Sequence, residues 1–143
     1  MQGIRGGTTR VMREPYEKTI STVRRMLTAA GLSIVDEFDM SKEPYFHFGV
    51  AGGSCTVLLL DTPILMFEAI VLDHSTAVFL PLHVVVSGDR ETSCVHWADP
   101  LTSSGLRPPA SGKSALEQAY KRLTDALSGL PQPAGLTAPT PSI

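Results

Sequence analysis

Leu80-Pro81-Leu82-His83-Val84-Val85-Val86-Ser87-Gly88-Asp89-Arg90-Glu91-Thr92-Ser93-Cys94-Val95-His96-Trp97-Ala98 is the stretch on which the reading of the fold turns. Two runs rich in β-branched and aromatic residues flank a short polar segment that contains glycine, the pattern of a β-hairpin. The first run predicts a strand over Val78–Ser87, bent at Pro81, which has no N–H to give to a ladder. The second predicts a strand over Thr92–Ala98, broken by Asp99-Pro100. A four-residue loop, Gly88–Glu91, would set Ser87 opposite Thr92. That register places Val85 against Cys94 and His83 against His96 on one face. On the other it places Val86 against Ser93, Val84 against Val95 and Leu82 against Trp97. The second set is the more apolar and should face helices; the first should face outward. A one-residue slip would separate the histidines, because it turns every side chain to the opposite face.

Upstream of the hairpin, Thr8–Arg13 alternates weakly and predicts an edge strand. Pro15 stands where a helix can begin without losing a bonded N–H. Ile20, Val23, Leu27 and Ala30 then recur at steps of three and four, which predicts an amphipathic helix over Tyr16–Ala30 closed by Gly31. Leu32–Asp39 reads as a strand, Met40–Gly53 as a long loop, and Ser54–Leu60 as a central strand. Asp61 or Thr62 can cap a short helix that starts at Pro63 and runs to about Leu72. Downstream, Leu101–Gly112 reads as a loop. Leu116, Tyr120, Leu123, Leu127 and Leu130 form one face of a last helix over Lys113–Leu130, with Glu117 and Lys121 as an i,i+4 pair. The expected organisation is a flexible N-terminus at 1–7, one domain at 8–130, and a disordered proline-rich tail at 131–143. Strand, helix, several strands, helix is an α+β order. The helices must bury their stripes on one face of the sheet, which leaves the other face to water, a partner or a ligand.

Composition limits what such a domain can do. The 143 residues carry 12 basic and 14 acidic side chains, a net charge of -2, which supplies no broad basic face for nucleic acid. The N-terminus has no apolar run of the secretory kind. The most apolar stretch, Val57–Leu72, is short for a membrane span and is interrupted by Asp61, Pro63 and Glu68. A cytoplasmic protein without nucleic-acid or membrane partners is expected. Its two cysteines, Cys55 and Cys94, fit no zinc spacing and are expected to be buried free thiols. Gly49–Gly53 lacks the Lys and Ser/Thr of a phosphate loop, and no serine stands in a nucleophile elbow.

Three segments resemble the bacterial family called domain of unknown function 302. They are the opening helix and strand ending in Asp36-Glu37-Phe38-Asp39, the stretch Asp61-Thr62-Pro63 before a short helix, and Leu80-Pro81-Leu82-His83-Val84-Val85-Val86 with its hairpin ending in Asp99-Pro100. The resemblance spans roughly residues 8–103. It implies a two-layer α+β fold similar to one TATA-binding-protein repeat, a curved antiparallel sheet with helices packed on one face, and a tendency to dimerise; it implies no particular activity. Many relatives carry cysteines at the positions that match Asp61 and Leu82, and an asparagine at the position of His83. Their thiol chemistry therefore does not transfer to this chain.

The open sheet face is the candidate site. Two facing imidazoles could share a proton, and His83 and His96 are the expected acid/base pair, with Asp61 or Tyr45 as an orienting group. Tyr45, His47 and Phe48 in the long loop, with Val85 and Cys94 on the face, are the expected ligand contacts. Less specific readings stand beside these: the histidines could lie at a dimer seam, Asp61 could be a helix cap, and the loop aromatics could be satellites of the core. The function expected is binding of a small organic ligand. If turnover occurs, it should be proton transfer of the isomerase, cyclase or lyase kind, without a cofactor and without a metal. The rival expectation is a non-catalytic homodimer with the open face buried at its seam.

Overall fold

A computed structural model of the chain describes residues 7–42, 53–61 and 63–130. Its strands are β1 (Gly7–Met12), β2 (Ser33–Asp39), β3 (Ser54–Asp61), β4 (Leu82–Gly88) and β5 (Ser93–Ala98). They form one antiparallel sheet in the order β1-β5-β4-β3-β2. The helices are α1 (Tyr16–Ala29), α2 (Pro63–Leu72), the short α3 (Pro100–Ser103) and α4 (Ala110–Leu127), with a 3₁₀ helix at His74–Phe79 between α2 and β4. This is the α+β architecture that the element order implies.

One face of the sheet makes the core. Leu58 and Leu60 of β3, Leu82, Val84 and Val86 of β4, and Val95 and Trp97 of β5 are buried against Ile20, Val23 and Leu27 of α1 and Leu116, Leu123 and Leu127 of α4. The stripes that predict α1 and α4 are thus the faces these helices bury. Hydroxyls stitch α1 to the sheet where apolar packing ends: Tyr16 bonds Thr56 at 2.5 Å and Thr19 bonds Ser93 at 2.6 Å. Burial pushes the Tyr16 phenol up from its usual range. Gly31 closes α1 at φ 81°, a left-handed conformation that glycine adopts at no steric cost.

Several boundaries differ from the expectation, each for a local reason. Val78 and Phe79 are not strand. Asp73 caps the 3₁₀ helix by accepting from the Ser75 amide at 2.9 Å, and β4 starts only after the cis Leu80–Pro81 bond. The expected loop at Leu101–Gly112 contains α3, whose cap is Asp99 accepting from the Leu101 amide at 2.9 Å with Pro100 in the first turn. The last helix starts earlier, at Ala110. Glu117 and Lys121 pair with Lys113 and Asp125, at 3.9 Å and 2.8 Å, rather than with each other.

The hairpin register also differs. Its loop has four residues, but they are 89–92: Gly88 pairs with Ser93, Ser87 with Cys94, Val86 with Val95 and Val85 with His96. Asp89 explains the placement, because its carboxylate accepts from the Glu91 and Thr92 amides at 2.8 and 2.9 Å, an Asx turn that makes it the first loop residue. Gly88 stays in the strand where the chain returns close by; a Cβ there would lie 2.5 Å from the Thr92 carbonyl oxygen. Each partner therefore moves by two residues, an even shift that keeps every side chain on its expected face.

Candidate functional site

The outward face of the sheet can be read in rows across the strands. One row is Val11, Cys94, Ser87 and Cys55; the next is Thr9, His96, Val85, Val57 and Phe38; the next holds Gly7 with Ala98, and His83 with Leu59. His83 and His96 do share this face, but His96 faces Val85, and His83 stands diagonal to it. Diagonal neighbours have Cβ atoms roughly 7–8 Å apart, too far for the side-by-side pair that the expected register gives. This corrects the acid/base pairing, though not the placement of both rings on one face.

The two imidazoles also differ in surroundings. His96 is half-buried, its Nδ1 is 3.0 Å from the Thr9 hydroxyl, and burial lowers its pKa, which favours the neutral ring. His83 is exposed at the other end of the face. Cys94 and Cys55 are buried free thiols on either side of Ser87. Burial pushes both up from the usual thiol range, and for Cys55 the charge of Asp39 adds to the effect. At neutral pH neither is poised as a thiolate nucleophile. Val85 lies half-buried in mid-face. Asp61 is the last residue of β3, registered against Ser33 of β2 and outside the lining of the pocket described next. Tyr45, His47 and Phe48 lie outside the described residues.

What the face does hold is a pocket of 340 Å³ at its His83 end. Leu59 and Ala98 come from the open face on either side of His83. The 3₁₀ helix and the turn after it add Val78, Phe79, Leu80 and Pro81, and α3 and the segment beyond it add Pro100, Ser104 and Leu106. Its size is at the lower end of the range for small-molecule sites, and such sites are mostly apolar with a few polar groups that fix orientation. Among the described residues of the lining, His83 is the one ionisable side chain, and Ser104 supplies a hydroxyl. Apart from His83, none of these residues stands out by type as a site residue. A signal for them does exist in the sequence: Leu80-Pro81 and Asp99-Pro100 interrupt both hairpin strands at the same end, so two chain breaks must meet beside His83.

A second surface is conspicuous for another reason. On α2, Ile64, Phe67, Val71 and Leu72 are 79, 70, 59 and 70% exposed, and Val78 of the neighbouring 3₁₀ helix is 66% exposed. No helix among the described residues is long and apolar enough to cross a membrane.

The model of the domain of unknown function DUF302 matches residues 8–130. The chain belongs to this family. Among solved structures it is similar to an uncharacterised conserved DUF302 protein from Bacillus stearothermophilus, at 18% identity and a TM-score of 0.72, covering 87% of this chain and 98% of that one. At that identity the likeness shows a shared DUF302 fold and carries no activity across. No curated protein matches the chain.

Proposed function

We propose that this DUF302 domain binds a small organic molecule in the pocket at the His83 end of its sheet. One observation carries the reading: a 340 Å³ apolar recess converges on a single exposed imidazole. Its walls come from β3, β4, β5, the 3₁₀ helix and α3, so elements far apart in sequence shape one concavity. If the bound molecule is transformed, the chemistry available is proton transfer by His83 alone, an isomerisation, cyclisation or elimination needing one acid/base group. His96, bonded to Thr9 and half-buried, belongs to the framework in this reading.

A thermal-shift screen of metabolites, with His83→Ala in parallel, tests the proposal. A ligand at about 100 times its Kd stabilises the native state by about 2.7 kcal/mol. For a domain of this size that is a rise in Tm of roughly 8–16 °C. The rise should shrink in His83→Ala; shifts unaffected by the substitution would place binding elsewhere.

A second reading, homodimerisation, is favoured by the exposed α2 stripe rather than by the sheet face. Roughly 100 Å² of apolar surface on each of its five large side chains makes a patch of about 500 Å², which is at the upper end for a monomer. Pairing it across a two-fold axis would bury about 1,000 Å², the lower bound for a specific interface. In this reading Phe67, 70% exposed, lies at the seam, which reaches the rim of the His83 pocket at Val78.

A further inference from the structure

We infer that the ligand of the His83 pocket is a small monocarboxylic acid with an apolar body, aromatic or branched aliphatic. This inference rests on the pocket being a ligand site, as proposed above, and concerns which chemistry the site selects. Size sets the first limit. An engineered cavity of about 150 Å³ holds benzene, so 340 Å³ has room for one ring with a short side chain and excludes a dinucleotide cofactor.

Polarity sets the second limit. Among the described residues, the side chains that line the pocket include no carboxylate to attract an amine. They include no Lys or Arg either, so a phosphate ester or a dicarboxylate would bring more negative charge than one imidazole can meet. The lining offers hydrogen-bond donors. His83 presents an N–H in either tautomer and two when protonated. The Ser104 oxygen already accepts from the Leu106 amide at 3.2 Å, which leaves the hydroxyl hydrogen free to be donated. One imidazole and one hydroxyl match the acceptor oxygens of a single carboxylate. Leu59, Val78, Phe79 and Leu106 would then cover the apolar body.

Three probes of the same shape separate this inference from the broader reading: phenylacetate, phenylacetamide and 2-phenylethylamine. Each is titrated by calorimetry into the full chain and into His83→Gln, whose fold is first checked by circular dichroism. Phenylacetate should bind the wild type about tenfold more tightly than the amide, the ratio expected when a charge-assisted bond replaces a neutral one. In His83→Gln that preference should shrink severalfold, because a neutral amide donor cannot take the positive charge that a protonated imidazole can. Equal binding of all three would overturn the carboxylate assignment and leave the pocket reading standing, and so would a preference for the amine. Binding of none of them would overturn the assignment and remove the pocket as a site for ring-sized ligands.

Discussion

Gly112→Ala should destabilise the domain, although helix propensity alone predicts the opposite. Gly112 lies in the first turn of α4 and is buried. Alanine in a helix is favoured over glycine by about 1 kcal/mol. A Cβ at this position, however, would stand 2.5 Å from Thr76 Oγ1 and 2.7 Å from Thr76 Cγ2. Thr76 is fully buried in the 3₁₀ helix, so its side chain cannot swing out into solvent to make room; its hydroxyl has no hydrogen-bond partner among the described residues. Overpacking of this kind costs about 1–3 kcal/mol, and after the helix gain a net loss of about 1 kcal/mol remains. That lowers Tm by roughly 3–6 °C. The assay is urea unfolding followed by fluorescence of Trp97, the chain's single tryptophan, which is 2% exposed. Repeating the substitution in a Thr76→Ala background removes both of these atoms and leaves the residue 76 Cβ at 3.2 Å, a contact that a shift of a few tenths of an ångström relieves. There Gly112→Ala should raise stability by about 1 kcal/mol, a coupling of about 2 kcal/mol between the two positions. Equal stabilisation in both backgrounds would refute the reasoning. Thr76 belongs to the 3₁₀ helix that carries Val78 and Phe79, so on the proposed reading of the pocket Gly112→Ala should also weaken ligand binding there.

Two further outcomes follow from the same geometry. Burial lowers the pKa of His96 below the ordinary 6.5, so in acid the unfolded chain takes up a proton that the folded one declines. The stabilising contribution is complete above that ordinary value and is lost as the pH falls from it through the lower folded value. His96→Gln should flatten this part of the stability profile measured by urea unfolding from about pH 5 to 8; an unchanged slope would contradict the assignment. On the second reading, in which the α2 stripe pairs two copies, Phe67→Glu should yield monomers by sedimentation velocity, whereas Val85→Glu on the sheet face should leave the pairing intact. The reverse pattern would move the seam to the sheet.

Much of the fold is legible in the sequence because burial is periodic. The stripe Ile20, Val23, Leu27 and the alternation Leu82, Val84, Val86 both mark residues that the structure buries. The hairpin shows where legibility stops. Apolar alternation fixes which face a residue occupies, and an even shift of register leaves that unchanged, so Val84, Val95 and Trp97 are placed correctly by a pairing that is displaced. The histidine pair depended on the register itself, which is set by the Asp89 carboxylate and the close approach at Gly88. Those are signals of turn chemistry rather than of hydrophobicity. The pocket was harder to read, because Pro81, Ala98, Pro100 and Leu106 are unremarkable singly and meet only once β3, β4 and β5 are aligned. The 3₁₀ helix was hidden by the apolar character of Val78 and Phe79; Asp73 followed two residues later by Ser75 is the capping signal that could have revealed it.

The most direct test of the central claim is a two-dimensional amide NMR titration of the labelled chain with the ligand that gives the largest thermal shift. If the His83 pocket is the site, the perturbed resonances should concentrate on Leu59, Val78, His83, Ala98 and Leu106, which are scattered in sequence and adjacent in the pocket. Perturbations confined to α2, or to the Thr9, Val85 and His96 region of the sheet, would contradict it.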